Sequence, residues 1–570
     1  MSNSLNSANM VETDVLIIGG GIAACMAALE ARNKSLDVVL VDKAHVGRSG
    51  NAPLMSGVLS CFDPEEDEYD AWFENCVDVG EYLNEQDILS QVIPETANVI
   101  RDLQTWGAEF VKREGKVERY KSIGGTMNVK MIRGGIQLMD ALRGEVIRRG
   151  TKLIQRVMVV HLLTSDGNEP TDGRVTGALG FNLRTGTIHV FKAKAVIVAT
   201  GAVMPQRYRC QSPFILSGDG IMMSFRVGAQ LKNLEFTLGG PSPADLNLAS
   251  GSHLLFGQGA YLRNEKGERF MEKYDSINME RADKNALGIA VAKEFAQEYI
   301  EGRQPIVFLD ARHLDSRAHD AIRRGLPIYV SMLEKAGLDL TKDLIRYKMT
   351  VQACIGAGGI RINKDRASTV PGLYVAGSAG DHAEDGATNV IGHGMESAVS
   401  GRIAGMSAAK YALQAEKPII SRRQSAALSK TIFQPLFRSE GIKPQVINEE
   451  IGKFWETISV VRNKKVLSRA MNQIKELKKD KITRLSAKDY HELASAIGVI
   501  NKVSFLELFV QFASKRTESR GGHFREDYPE RDDKDWLKWV ICKREGEGSS
   551  VWVEPVPLEK YPKRPPGNGG

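Results

Sequence analysis

Three small residues and one acid carry the strongest chemical signal in this sequence: Gly19, Gly21 and Ala24, followed by Asp42. They sit in GGGIAA (19–24), which also supplies Gly20. In the pattern G-x-G-x-x-A, each small residue removes a side chain that would keep the backbone from a ligand. Gly19 permits a tight turn, Gly21 lets the chain approach a pyrophosphate, and Ala24 allows close packing of a helix on a sheet. The start of that helix offers free amides and a positive dipole end to the anion. Asp42 comes roughly 20 residues later, where a carboxylate accepts hydrogen bonds from a ribose diol. Glycines so spaced also serve plain structural turns. The strand TDVLII (13–18) before them, the helical CMAALEAR after them and the strand DVVLV (37–41) ending on Asp42 favour a dinucleotide.

Three further segments favour FAD over NAD. ATGA (199–202), with Ala199, Thr200 and Gly201, ends the apolar strand KAVIVATGA (194–202) at a glycine turn. SGDG (217–220) puts Asp219 where it can hold a ribityl hydroxyl. GLYVAGSAGD (372–381), with Gly377 and Ser378, ends another strand. A site assembled from pieces so far apart suits a long, extended ligand.

These elements have to be positioned by an open parallel sheet, whose strands, buried on both faces, read as short continuous apolar runs. From 236 to 350 the texture changes to loops and helices without such runs, which suggests an insertion. From about 420 onward the chain is highly charged with helical periodicity and reads as a helical bundle. The end, KYPKRPPGNGG, reads as a Pro/Gly tail. The expected class is α/β. A discontinuous FAD-binding domain (12–235 and 351–415) is followed by a helical domain (420–540) and a tail (541–570), and 236–350 forms the inserted domain.

A length of 570 residues is too great for one core, and 42% hydrophobic with 26% charged residues is ordinary for a globular protein. The net charge of +6 lacks the clustered stripe of a nucleic-acid binder; the nearest run, KKDKITR (478–484), reads as a solvated helix end. The first residues, MSNSLNSANMV, lack the basic start and apolar middle of a secretory signal. No apolar run approaches the ~20 residues of a membrane span. Six scattered cysteines argue against a disulfide framework and against a metal or iron–sulfur site held by this chain alone. The expected location is cytoplasmic.

The order of motifs resembles that of the flavoprotein subunits of fumarate reductase, succinate dehydrogenase and adenylylsulfate reductase. The landmarks are GGGIAA, DKAHVGRSGNAPLMSG (42–57), ATGA, SGDG, NLEF (233–236), GERFM (267–271), IGAGGI (355–360), GLYVAG and GRIAG (401–405). ESRGGHFREDYPERDD (518–533) is the most specific of them. The resemblance runs from about residue 12 to 535. It implies a two-dinucleotide-fold FAD domain, an inserted α+β capping domain (236–350) and a C-terminal helical domain, with the active site between flavin and cap. It also implies that Lys43, Ser49, Gly50, Asn51 and Gly57 lie about the flavin. Gly394 and Met395 begin a helix whose N-terminus points at the pyrimidine end of the flavin, where reduction builds up negative charge.

The departures concern the substrate. In succinate dehydrogenases a histidine shortly after the Arg-Ser pair carries the flavin covalently. Here Arg48-Ser49 is followed by Gly50-Asn51, and His45 precedes the pair. This implies non-covalent FAD, as in the adenylylsulfate reductase branch, with Asn51 near flavin or substrate. The family's dicarboxylate clamp is absent too. Its His-Pro-Thr-Gly motif falls on Gly240-Pro241-Ser242-Pro243, its Thr-Glu pair on Ser252-His253, and the histidine before its Met-Gly-Gly turn on Cys354. GATNVIGHGMES (386–397) has no arginine, its basic residue being His393, and the proton-donating arginine falls on Lys284. Two carboxylates in a dry pocket demand fixed cationic partners, and truncating one partner of such a pair costs about 2–5 kcal/mol. Fumarate and succinate are disfavoured.

Lys284 can serve as proton donor or anion anchor, or stand exposed on the cap. Arg281 shares its face if the segment is helical. His253 and His393 can orient a substrate or shuttle protons, or be ordinary polar residues. Cys354 is a thiol candidate or a small filler. The expected reaction is a two-electron exchange between flavin and a small polar or anionic substrate, with electrons passing to or from a separate iron–sulfur, ferredoxin-like subunit. The alternatives are adenylylsulfate or fumarate reduction proper, an L-aspartate-oxidase-like enzyme, and a non-catalytic flavin electron-transfer subunit.

Overall fold

The computed structural model describes residues 8–121, 128–205, 213, 215–246, 252–282, 284–295, 306–353 and 358–566. At its centre lies a seven-stranded sheet in the order Lys152–Gln155, Val38–Asp42, Asn9–Ile18, Ile188–Val198, Val175–Asn182, Val157–Thr164. Leu373–Val375 also pairs with Ile188–Val198. The strands from Lys152–Gln155 through Ile188–Val198, and Leu373–Val375, run parallel. Val175–Asn182 and Val157–Thr164 are antiparallel additions at one side. The parallel strands are apolar because both faces are covered: Val15, Leu16, Ile17, Leu40, Val196 and Ile197 are fully buried.

Register matters most for function. Ile18 lies opposite Val41 and Val198, and Val198 opposite Val375. Gly19, Asp42, Ala199 and Ala376 therefore emerge side by side at the carboxyl ends of four parallel strands, the place where open α/β sheets bind ligands. Helix Ile22–Arg32 follows Gly21 and packs on the long helix His393–Gln414. The GRIAG segment explains how closely. A Cβ on Gly401 would sit 2.4 Å from the Ala23 carbonyl oxygen, and one on Gly405 2.4 Å from that of Ala27.

The region 236–350 has the α+β character that the resemblance implied, not the loops and helices that its texture alone suggested. It holds a four-stranded antiparallel sheet in the order Leu238–Pro243, Ile345–Ala353, Ile306–Asp310, Tyr261–Arg263. It also has its own core, with Leu254, Phe256, Phe270, Ile322 and Tyr347 fully buried. Strands such as IRYKMTVQA alternate polar and apolar residues, so they lack the continuous apolar run of a parallel strand.

The C-terminal part has helices at Pro444–Ile458, Lys464–Asp480 and Tyr490–Lys515. The last is long and apolar enough to cross a membrane by length and composition, contrary to the expectation that no run comes close. Most of it is buried inside the fold, as in the central helix of a domain. The expected tail is also corrected. Lys538–Glu545 and Gly548–Pro555 form a hairpin that adds to Leu231–Lys232, which in turn pairs with Gly359–Ile360. Apolar residues in WVIC and VWV supply its buried side, and Cys542 is fully buried in it.

Candidate functional site

The aligned strand ends open into a cleft. Gly19, Gly20, Gly21, Asp42, Lys43, Ser49, Gly50, Asn51, Ala199, Thr200, Gly201, Asp219, Gly377, Ser378 and Gly394 all line it. Its floor is backbone and small side chains, for a steric reason. A Cβ on Gly19, whose φ is +125°, would lie 2.1 Å from the Ala199 carbonyl oxygen. Gly21 and Gly50 are different: a Cβ would meet nothing nearer than 3.9 Å at Gly21 and nothing within 4 Å at Gly50, so these walls are bare toward open space. Such a cradle fits a long dinucleotide whose phosphates approach backbone amides.

Asp42 is almost fully buried; its Oδ1 accepts from the Ala44 amide at 2.6 Å, and its Oδ2 lies against Gly20. Asp219 opens helix Asp219–Arg226 and is ion-paired to Lys43 at 2.8 Å. Ser217 Oγ and Asn501 Nδ2 donate to its Oδ1, each at 2.8 Å. Burial opposes the charge on Asp219, but Lys43 and these donors hold its carboxyl below the usual range. Asn501 carries no signal in the sequence. It lies 282 residues from Asp219 on an apolar helix, and no local motif marks it.

Three cofactor candidates stand off the cleft wall. Ala24 and Met395 are fully buried, and Gly57, φ +97°, makes a tight turn in which a Cβ would meet the Ile132 carbonyl oxygen at 2.3 Å. Among the catalytic candidates, His393 lines the cleft at the start of its helix. Arg281 is exposed on the short 3-10 turn Met279–Arg281, separate from the helix that starts at Lys284, so the expected shared helical face does not form. Lys284 begins that helix and His253 lies in helix Ser252–Gly257, but both side chains are outside the described atoms. Cys354 is outside the described residues. His45, beside the Arg48-Ser49 pair, turns to Gln155 at 3.3 Å and Arg156 at 3.1 Å, and does not line the cleft.

Directly behind His393 is a layer of buried ionisable groups. Asp381, His382, Glu384, Asp385 and Glu396 are each at most 2% exposed. Glu384 forms a two-pronged pair with Arg366, at 3.1 and 3.2 Å, and the guanidinium outweighs burial to hold that carboxyl down. Asp381 pairs with buried Lys232 at 2.6 Å. Asp385 Oδ1 accepts from the Val390 and Ile391 amides at 3.0 and 2.9 Å and so pins the turn that leads into the helix. Burial, reinforced by the charge of Glu384, pushes the Asp385 and Glu396 carboxyls up and keeps them protonated.

A family model described as "FAD binding domain" matches residues 14–394, and one described as "Fumarate reductase flavoprotein C-term" matches 449–568. The chain belongs to the fumarate reductase and succinate dehydrogenase flavoprotein family. It is an FAD-dependent oxidoreductase. A subunit of the fumarate reductase (CoM/CoB) of Methanothermobacter marburgensis is 29% identical over 564 residues, covering 94% of this chain and 98% of that protein. Among solved structures, a variant of E. coli quinol fumarate reductase FrdA superposes with a TM-score of 0.86 at 22% identity, covering 97% of this chain and 98% of that one. Adenylylsulfate reductase of Archaeoglobus fulgidus gives 0.80 at 22% identity, covering 96% of each chain. These two likenesses establish the fold.

In this flavoprotein the distinctive run 518–533 is a clamp. Arg516, just before it, reaches Glu235 of the NLEF segment at 2.7 Å and Glu518 at 2.8 Å, and Arg520 joins Glu518 and Asp533 at 2.8 and 2.9 Å. Its two glycines pass between backbones: a Cβ on Gly521 would lie 2.2 Å from the Ala387 carbonyl oxygen, and one on Gly522 1.9 Å from that of Thr237. The C-terminal run thereby ties the loop 381–392 to the start of the cap.

Proposed function

We propose that this flavoprotein binds FAD non-covalently and performs two-electron redox chemistry on a small polar or anionic substrate other than fumarate or succinate. It exchanges electrons one at a time with a separate iron–sulfur, ferredoxin-like subunit. The FAD pyrophosphate lies on Gly19, Gly20 and Gly21, a ribose on Asp42, and the ribityl chain near Asp219. Ser49, Gly50, Asn51, Thr200, Gly201, Gly377, Ser378 and Gly394 close around the rest. Bound there, FAD supplies the two-electron chemistry, and the residues of this chain orient it, hold substrate and move protons. The amides at the start of helix His393–Gln414 face developing negative charge.

The observation that carries the substrate reading is the chemistry of the loop 385–393. It offers Asp385, Thr388, Asn389 and His393, and it contains no arginine. Among the described residues, Asn285 Nδ2 donates to Thr388 Oγ1 at 2.7 Å across the cap boundary, and Asn389 Nδ2 donates to Asp385 Oδ2 at 2.8 Å. Among the described residues of this loop, a dicarboxylate would face a carboxyl group and amides, which supports a substrate of different charge pattern. His45 turned outward supports non-covalent attachment, because no other histidine lies beside the Arg48-Ser49 pair.

A second reading, fumarate reduction, is favoured by the 29% identical relative, which bears that name. Anaerobic mixing of the reduced protein with candidate substrates, followed by flavin absorbance, tests both. Reoxidation by another small anion but not by fumarate is expected; rapid reoxidation by fumarate would overturn the first reading in favour of the second. Acid precipitation should release the flavin into the supernatant, and iron should be found with a co-purifying partner. Lys284→Gln should slow reoxidation by the true substrate while leaving the flavin content unchanged.

A further inference from the structure

Buried histidines ordinarily have both ring nitrogens satisfied. His382 does not. It is 1% exposed, yet neither Nδ1 nor Nε2 has a hydrogen-bond partner among the described residues. Its backbone has φ +45°, a conformation that costs energy for a residue other than glycine. The ring is held in a particular place: Nδ1 lies 3.5 Å from Glu396 Oε2 and 3.8 Å from Asp385 Oδ2, and the ring centre is 5.1 Å from that of His393. His393 forms part of the cleft wall. Glu396 Oε2 is itself buried without a hydrogen-bond partner among the described residues.

We propose that His382 and His393 form a two-imidazole relay carrying protons between the flavin cleft and a buried acid store, Glu396 with Asp385. Glu396 gives its carboxyl proton to His382 Nδ1, the proton on the other nitrogen of that ring passes to His393, and His393 releases one into the cleft as electrons arrive there. Glu396 is left as a carboxylate. When the electrons leave, to substrate or to the electron carrier, a proton returns by the same path and restores the acid.

The surroundings suit this traffic. Burial, with a further push from Arg366, lowers His382 to about 4, although Glu384 opposes it, so the ring is neutral and can accept on one nitrogen while donating from the other. Burial keeps the Glu396 carboxyl protonated, which loads the store. Arg366 is committed to Glu384, and Lys232 to Asp381 and Glu85, so the nearby cations are neutralised by other carboxylates. The other role open to Glu396 is an acid in the first turn of a helix, where the dipole favours negative charge; a protonated carboxyl gains little from that.

The test uses the FAD-loaded protein without substrate, so it stands apart from the substrate reading. Reduced-minus-oxidised infrared difference spectra in H2O and D2O should show a carboxylic acid carbonyl band that shifts in D2O, changes on reduction and is missing in Glu396→Gln. Photoreduction should show a proton-coupled phase with a solvent isotope effect. His382→Gly, chosen because glycine accepts the positive φ and leaves room for a free ring, should slow that phase about tenfold or more, and added imidazole should restore it. His382→Asn should be slow and not rescued. Flavin content and thermal midpoint report folding of each variant. If His382→Gly does not fold, the infrared comparison with Glu396→Gln still decides. A wild-type protein with no protonated-acid band, or variants that reduce at the wild-type rate with an unchanged isotope effect, would overturn the relay.

Discussion

Two buried clusters of ionisable groups meet at the loop 381–392, one in the C-terminal clamp that packs on it and one built largely from the loop itself, and their side chains are committed to different degrees. In the C-terminal clamp the guanidiniums of Arg462, Arg516, Arg520 and Arg525 are tied to carboxylates, carbonyls or His523. In the acid layer behind the cleft, His382 and one oxygen of Glu396 are left without hydrogen bonds among the described residues. The clamp is close to a closed network, leaving Glu235 Oε2 without a hydrogen bond among the described residues, and it holds segments together; the more open layer keeps groups able to change protonation. Buried charge alone therefore does not mark a functional site, and unpartnered buried atoms are a pointer only where, as at His382, they lie beside a cleft.

Breaking the closed cluster should have the largest effect. Arg516→Met strips Glu235 and Glu518 of a fully buried partner and should cost about 3–5 kcal/mol in urea unfolding. At the edge of the cleft, Asn501→Ala removes a donor from the charged Asp219 and should cost about 1.5–3 kcal/mol, with weaker retention of FAD on dilution. The open cluster should show itself in pH dependence. Asp385 is held up to about 8 by burial and by Glu384, so the folded state keeps a proton that the unfolded chain loses above its ordinary carboxylate range. Stability contributed by this site is full below that range and falls as pH rises toward 8, by about 1.4 kcal/mol per pH unit. Asp385→Asn should flatten that slope in unfolding curves measured across the same window. The smallest effect is expected from a surface pair that belongs to neither cluster. Lys478 and Glu507, 43% and 24% exposed, meet at 2.7 Å, and Lys478→Ala should change stability by about 0.5 kcal/mol or less. A large loss there would remove the contrast between buried and exposed charge.

The cleft was legible because its chemistry is local. Gly19, Gly21, Asp42, Ala199 and Gly377 each follow a short apolar strand, and a strand followed by a glycine turn reads from a few neighbouring residues. The cap sheet was not legible, since IRYKMTVQA alternates in character, and the hairpin at 538–555 was hidden in an apparent tail. Arg281 would share a face with Lys284 only if the segment were one helix, and the chain makes a 3-10 turn first.

Sequence by itself determined that the strand ends carry bare backbone and an acid, the basis for reading a dinucleotide cleft there, because glycine and a terminal carboxylate act through their own positions in the chain. Only the tertiary structure decided which distant groups complete it. Asn501 reaches Asp219 across 282 residues, and His382 stands between Glu396 and the cleft wall at His393. Whether such a side chain is paired or open depends on what folding packs beside it, and that proximity leaves no pattern along the chain.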